Sequence, residues 1–295
     1  PEVEIIVRGL RKSIVNRKIK SIEVLVNKLF VGSRNNIINS KIISVERLGK
    51  TIIIRFVNNY ALQIHLKMTG QLIFAYKNQN LKFKIKNLKL PTTKVVGGHP
   101  DNKYNQPLPH KYTHIIINFT DYSTLYYNDL RKFGWMKIIQ NSKFKIQNDN
   151  LKSKIGVDGL TKKLSIIYLT NKFKNRRITI KQALLDQSII SGLGNIYADE
   201  VLFCAKINPI RKTNQITNNE IKRIIKYIPI ILNKSIKLGG TSRSDYVKHD
   251  GTKGDYLDYA FVYARENQLC QVCKTKIKRI KIGQRSSHYC PNCQQ

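Results

Sequence analysis

Acidic side chains are scarce in this chain. Against 53 Lys and Arg there are 18 Asp and Glu, a formal net charge of +35 over 295 residues. That is far more cation than solubility requires, and the natural partner of such a surface is a polyanion. Lys, Asn and Ile are overused together along the whole chain, as a codon bias would produce, so the sign of the charge carries this argument rather than its size. Long apolar runs are missing too: none reaches the ~18 residues of a membrane span. The opening residues lack the pattern of a secretory signal, and the expected compartment is the reducing cytosol. Cysteine is thin outside one region. Only Cys204 stands apart, and it reads as a small buried hydrophobe rather than a nucleophile. The length suits two domains or more, with enough apolar content for separate cores.

The other four cysteines are grouped. Cys270 and Cys273 form one C-x-x-C pair, Cys290 and Cys293 a second, with sixteen residues between them. Two thiolates on a tight turn reach one ion together, and two such turns complete the tetrahedral shell of Zn²⁺. Between the pairs, KIKRIKI and SSHY flank Gly283, a β-hairpin pattern whose tip carries Gln284 and Arg285. A disulfide-bonded tail is the alternative, and a reducing compartment argues against it.

From the other end, Pro1, Glu2 and Glu4 suit a helix start. The runs KIISVERLGK, TIIIRFVNNY, ALQIHLKMTGQLIFAY, THIIINFTD and STLYYND alternate with turn signals and predict an antiparallel sandwich or barrel. Residues 77–110 interrupt them and read as a long basic loop. KFKIKNLK at 82–89 is echoed by KFKIQNDNLK at 143–152; two copies are too few for a solenoid and read as low-complexity inserts. From about Leu160 the pattern turns helical: SIIYLTNKF, ITIKQALLDQSII, NIYADEVLFCAKI and EIKRIIKYIPIILNKSIKLGG. Asn195 is the expected cap of the third of these, and Gly239-Gly240 the end of the last. In the turn GLGN, Gly192 and Gly194 permit positive φ, and the helix that follows offers free N–H groups that suit a phosphate. With no strand before it and no third glycine, it is not a dinucleotide fingerprint. A plain helix-packing turn remains the competing reading.

GLGNIYADE, an upstream HLKMTG, an NDLRKFG and the terminal C-x₂-C…GQR…C-x₂-C together resemble the bacterial formamidopyrimidine-DNA glycosylase family. The resemblance covers nearly the whole chain, in order, apart from the two inserts. It implies removal of oxidised purines, chiefly 8-oxoguanine and formamidopyrimidines, from duplex DNA, followed by strand cleavage at the abasic site. By this resemblance Met68, Arg131 and Phe133 fill the void left by an everted base, with Arg131 facing the orphaned cytosine. Read without it, Met68 and Phe133 are ordinary core residues. Lys50, in RLGK, matches a lysine that contacts lesion phosphates and assists elimination. Asn195 and the GLGN amides match a phosphate clamp, and Arg176, with Arg177 nearly equal, a basic DNA contact. Arg285 matches an arginine that grips the flanking phosphates and is assigned to δ-elimination. Tyr112 stands where the family usually has a His contact, leaving only a hydroxyl. The loop 241–256 resembles a flexible lid.

The amino terminus departs from the pattern. The family opens like P-E-L-P-E-V-E, with the first proline as nucleophile and the glutamate after it catalytic; this chain opens P-E-V-E. By register Pro1 falls three residues short, roughly 10 Å of extended chain, and a displacement of even about 1 Å can cost ~100-fold in rate. The expectation is that Pro-Glu-Leu precedes Pro1, the alternative being that the helix unwinds to bring Pro1 into place. In the sequence as given, Pro1 and Glu2 stand as the catalytic pair, since Pro1 is still a secondary amine beside a carboxylate.

The expected fold is α+β and multidomain. A β-sandwich with a flanking helix (1–139) leads through a linker (140–159) to a helix-two-turns-helix domain (160–262) and a zinc hairpin (263–295). The expected cofactor is one structural zinc. The expected partner is double-stranded DNA carrying an oxidised base or an abasic site, met by a monomer with no membrane involved, in the bacterial cytoplasm and at the nucleoid during repair. Three alternatives remain: an endonuclease VIII-like enzyme for oxidised pyrimidines, a damage-binding protein that cannot cut, and a zinc-ribbon RNA-binding or transcription protein.

Overall fold

The computed structural model describes residues 1–76, 93–98, 106–140, 155–240 and 255–295. The repeated stretches at 82–89 and 143–152, and the lid candidate up to residue 254, lie outside the described residues. Two compact units are present.

The first begins with helix α1 (Glu2–Ile14). Ile6, Val7, Leu10 and Ile14 recur at three- and four-residue steps and are buried against the sheets. Glu2 and Glu4 in the first turn and Arg11 and Lys12 in the last complement the helix dipole. The strands that follow are β1 (Ile19–Val24), β2 (Phe30–Val31), β3 (Ile42–Leu48), β4 (Thr51–Phe56) and β5 (Tyr60–His65). After them come β6 (Gly70–Ala75), β7 (Thr93–Gly98), β8 (Thr113–Phe119), β9 (Thr124–Asp129) and β10 (Trp135–Gln140). They make a sandwich of two five-stranded sheets, ordered β1-β8-β9-β6-β7 and β2-β10-β5-β4-β3. All neighbours are antiparallel except β2 and β10, which run parallel. Ile52, Ile54, Phe56, Leu62, Ile64, Leu72, Phe74, Ile115 and Ile117 fill the space between the sheets. Residues 77–110 are not one loop: β7 lies within them and pairs with β6 from Ala75↔Thr93 to Gln71↔Gly98. Its TKVVGG is too short and too glycine-rich to show alternation, and the neighbouring β6 edge supplies what propensity lacks. Strands β1 and β10 also fall outside the runs the sequence singles out.

The second unit holds β11 (Val157–Asp158), α2 (Ile166–Lys174), α3 (Ile180–Leu185), β12 (Ile190–Ser191), α4 (Asn195–Cys204) and α5 (Asn218–Lys237). Thr179 with Gln182, and Thr217 with Glu220, form reciprocal capping boxes on α3 and α5. The predicted cap of α4 is displaced by one position. Gly194 occupies the cap without a side-chain bond, and Asn195 is the first helical residue. A two-residue strand, β12, does precede the GLGN turn, paired in parallel with β11. Leu169, Leu184, Ile190, Val201, Ile224 and Ile228 are among the residues of this unit's core. The chain ends in the hairpin β13 (Lys278–Ile282) and β14 (Arg285–Tyr289). Ile282 pairs with Arg285, so Gly283-Gln284 is the turn and Arg285 opens the returning strand. A small core of Phe203, Val262, Ile277, Cys270 and Cys290 lies beneath it.

Candidate functional site

In the first unit, Met68 and Phe133 are 65% and 56% exposed. A core role is therefore excluded for both. The Arg131 guanidinium lies 4.7 Å from the centre of the Phe133 ring. Met68 sits in the turn between β5 and β6, and Arg131 and Phe133 in the loop from β9 to β10. A wholly buried carboxylate, Asp129, ties the two loops together. It accepts from the Thr69 hydroxyl, the Tyr127 hydroxyl (3.2 Å), the Arg131 amide (3.2 Å) and the Gly134 amide (2.8 Å). The Thr69 hydroxyl in turn accepts from the Arg131 amide at 3.1 Å. The glycines of MTG and RKFG are required by close approach. A Cβ on Gly70 would stand 2.5 Å from the Leu66 carbonyl oxygen, and one on Gly134 2.0 Å from the Tyr127 hydroxyl.

Tyr112 lies just ahead of β8, and its carbonyl accepts from the Asp129 amide at 3.0 Å. Desolvation lowers the pKa of buried His114, whose Nε2 donates to the Asp129 carbonyl at 2.8 Å. Lys50 is exposed in the Gly49-Lys50 turn between β3 and β4. Arg47 braces that turn from below, donating to the Gly49 carbonyl (3.0 Å) and to Glu4 of α1 (2.9 Å). Burial works against ionising Glu4, but Arg47 and Arg8 outweigh it and hold the carboxyl below its usual range. Desolvation, with Lys67 and Lys50 nearby, pushes His65 down to about 4. Pro1 stands immediately ahead of α1, whose first residue is Glu2.

In the second unit, only Gly192 of the GLGN turn uses positive φ (+87°); Gly194 has φ −109°. The Gly192 amide is already taken by the Gln187 side-chain oxygen (3.0 Å), whose amide nitrogen donates to the Leu185 and Leu193 carbonyls. What remains for an anion is the first turn of α4, whose N–H groups lack intrahelical acceptors. Asn195 points its Nδ2 at the Ser286 carbonyl of β14 (3.0 Å). The next acids of NIYADE, Asp199 and Glu200, are buried. Asp199 accepts from Lys181 Nζ (2.6 Å), Ser287 Oγ (2.5 Å) and the His288 amide (3.0 Å). Glu200 accepts the amides of Phe261, Val262 and Tyr263 at 2.8–3.0 Å; burial pushes its carboxyl up against those donors. Arg176 is engaged with Asp186 at 2.9 Å, whereas Arg177 is exposed. Cys204 is half-buried and its thiol is pushed up to about 12 by desolvation and by Glu200, which fits an inert packing residue.

Residues 1–136 match the formamidopyrimidine-DNA glycosylase N-terminal domain, and 155–247 the formamidopyrimidine-DNA glycosylase H2TH domain. Residues 267–295 match the zinc finger found in FPG and IleRS. The chain belongs to the formamidopyrimidine-DNA glycosylase family. It is 36% identical over 298 residues to the formamidopyrimidine-DNA glycosylase of Ligilactobacillus salivarius, covering 100% of this chain and 97% of that one. With the enzyme of Trichormus variabilis it shares 34% over 300 residues, covering 100% and 98%. Among solved structures it is similar to Lactococcus lactis Fpg in complex with abasic-site DNA, at 32% identity and TM-score 0.81, covering 100% and 98%. The same protein bound to Fapy-dG DNA gives 32% and 0.81, covering 100% and 99%. The oxidised-pyrimidine alternative is not favoured.

The glycosylase zinc finger fits its metal. The four Sγ atoms lie within 4.8 Å of one another, with Cys270–Cys293 at 3.9 Å and Cys273–Cys290 at 3.3 Å. Four Zn–S bonds near 2.3 Å would set S···S edges of about 3.8 Å. Four thiolates fill the shell, so the zinc is structural. Among the described residues no helix is long and apolar enough to cross a membrane. Sequence reasoning missed Asp129, Gln187, Asp199 and Glu200. For the three acids the usable signal was a carboxylate inside a motif, in a chain with only 18 of them; Gln187 carried no such signal.

Proposed function

We propose that this chain is a base-excision DNA glycosylase and abasic-site lyase that removes 8-oxoguanine and formamidopyrimidines from duplex DNA and then cuts the strand. The observation that carries the reading is the exposed Met68 and Arg131–Phe133 pair, mounted on loops that a buried carboxylate fixes. Everting a base costs a few kcal/mol of stacking, and an apolar and guanidinium wedge that enters the gap offsets part of it. An amino-terminal proline amine, Pro1 in the chain as given, attacks C1′; the glycosidic bond breaks and its electron pair leaves with the base. The C1′–O4′ bond then opens, O4′ taking a proton and the proline nitrogen lone pair forming an iminium with C1′; this acidifies the 2′ proton, and its removal expels the 3′ phosphate. Glu2 shuttles protons, and Lys50 holds the phosphates beside the lesion. Asn195, the start of α4 and Arg285 clamp the backbone, Arg285 also serving the second elimination. Tyr112 adds a hydroxyl contact. Of the adjacent arginines, Arg177 is the better placed for phosphate, since Arg176 is engaged with Asp186. This chemistry belongs to the cytoplasm, at the nucleoid while repair proceeds.

Borohydride trapping on 8-oxoguanine duplex tests the reading, because reduction of the iminium leaves protein and DNA covalently joined. Trapping by the chain as given, lost in Pro1→Ala, assigns the amine to Pro1. Trapping only after Pro-Glu-Leu is placed ahead of Pro1 assigns it three residues earlier. No adduct and no strand cleavage from both chains would leave a damage-binding protein.

A further inference from the structure

Asp199 and Glu200 are buried on α4 and have no part in the reaction above. Glu200 has an evident task, gathering the three amides of residues 261–263. Asp199 joins three elements: Lys181 of α3, its own helix, and Ser287 and His288 of β14. Lys181 and Asp199 have side chains 1% and 0% exposed, so this is a desolvated cluster in which charged hydrogen bonds act at close to full strength. Arg285 lies two residues before Ser287 on the same strand. Asn195 lies one helical turn before Asp199, donating to the Ser286 carbonyl (3.0 Å) while its own carbonyl accepts from Lys181 (2.8 Å). A two-stranded hairpin is marginal in isolation. The cysteines fix its base at Cys290, and Asp199 fixes its middle, between the metal and the tip.

We infer that Asp199 is a positioning residue for DNA binding, holding β14 so that Arg285 and Asn195 meet the phosphate backbone in one preset geometry. The inference rests on reading Arg285 and Asn195 as backbone contacts. Ser287→Ala removes one donor to Asp199 and leaves the Lys181–Asp199 pair intact, so it tests the link more gently than Asp199→Asn. The experiment measures the Kd of the zinc-loaded full chain for duplex carrying a stable abasic analogue, across salt concentrations, in wild-type and Arg285→Ala backgrounds. Ser287→Ala should weaken binding about tenfold in the wild-type background, the worth of one charged hydrogen bond. It should lower the salt slope by about one, and change binding less than about twofold when Arg285 is already alanine. Ser287→Thr should restore wild-type binding.

Additive losses from Ser287→Ala and Arg285→Ala would overturn the inference, as would loss of zinc from Ser287→Ala. If Arg285→Ala weakens binding and Ser287→Ala does not, the inference alone fails. If Arg285→Ala leaves binding unchanged, the backbone-contact reading falls and takes the inference with it.

Discussion

Each unit mounts the residues proposed to contact DNA on a buried aspartate, and the two aspartates are held by different means. Asp129 collects neutral dipoles, two hydroxyls and two amides, all from residues 69–134 of one sandwich. Asp199 collects an ammonium, a hydroxyl and an amide, two of them from residues 88 and 89 positions away. The first arrangement is complete once the sheets close. The second needs the zinc hairpin in place, so the mount beneath Asn195 and Arg285 depends on the metal and the one beneath Met68 and Phe133 does not. Burial lowers the pKa of Lys181, and the Asp199 charge opposes that shift, as expected for a pair whose members need each other.

Metal removal should give the largest separation between the two regions. Structural zinc sites are worth about 10 kcal/mol or more to folding. Chelation should therefore abolish duplex binding while the β-sandwich keeps its circular dichroism; normal binding by metal-free protein would make the comparison false. Asp129→Asn should act in the opposite sense. It turns an acceptor into a donor facing amides, a cost of roughly 2–3 kcal/mol. The first unit's melting temperature should fall, with zinc content and nonspecific duplex binding retained. A drop in zinc content would show that the two mounts are coupled.

A smaller effect follows from His65. It is neutral in the fold, with a pKa of about 4 against an ordinary 6.5. Between those values the unfolded chain takes up a proton that the folded chain does not. His65 therefore favours folding fully above pH 6.5, and that contribution is lost as pH falls towards 4. After discounting for solvent, the loss is roughly 1–2 kcal/mol. Melting curves of His65→Gln should be flatter than wild type from pH 6.5 to 4.5, and parallel curves would remove the assignment.

Local patterns were legible in the sequence and remote ones were not. The cysteine spacing, the capping signals and the three- and four-residue helical steps each lie within a few residues. They yielded the hairpin, α2, α4 and α5. Strand β7 was hidden because Val95 and Val96 stand between lysine and two glycines inside a basic stretch. Asn195 has a capping residue's chemistry and was placed one position early, because Gly194 takes the cap and frees the amide for Ser286. The two aspartates stood out only as rare acids inside motifs; what they hold was unreadable, because their partners converge only when the chain folds. HLKMTG and RKFG were visible as motifs, but the collision that fixes their glycines involves Tyr127 and Leu66, which neither spacing nor composition reveals.

On the proposed reading, Met68 and Phe133 drive base eversion and leave the chemistry to other residues. Single-turnover rates for Met68→Ala and Phe133→Ala test it most directly, on 8-oxoguanine duplex and on duplex with a preformed abasic site. Excision should slow by about 10- to 100-fold, the worth of roughly 1.4–2.7 kcal/mol of lost wedge contact, while cleavage at the abasic site stays within about twofold of wild type. Equal losses on both substrates would contradict this and give these exposed side chains a part in DNA binding or chemistry common to both steps.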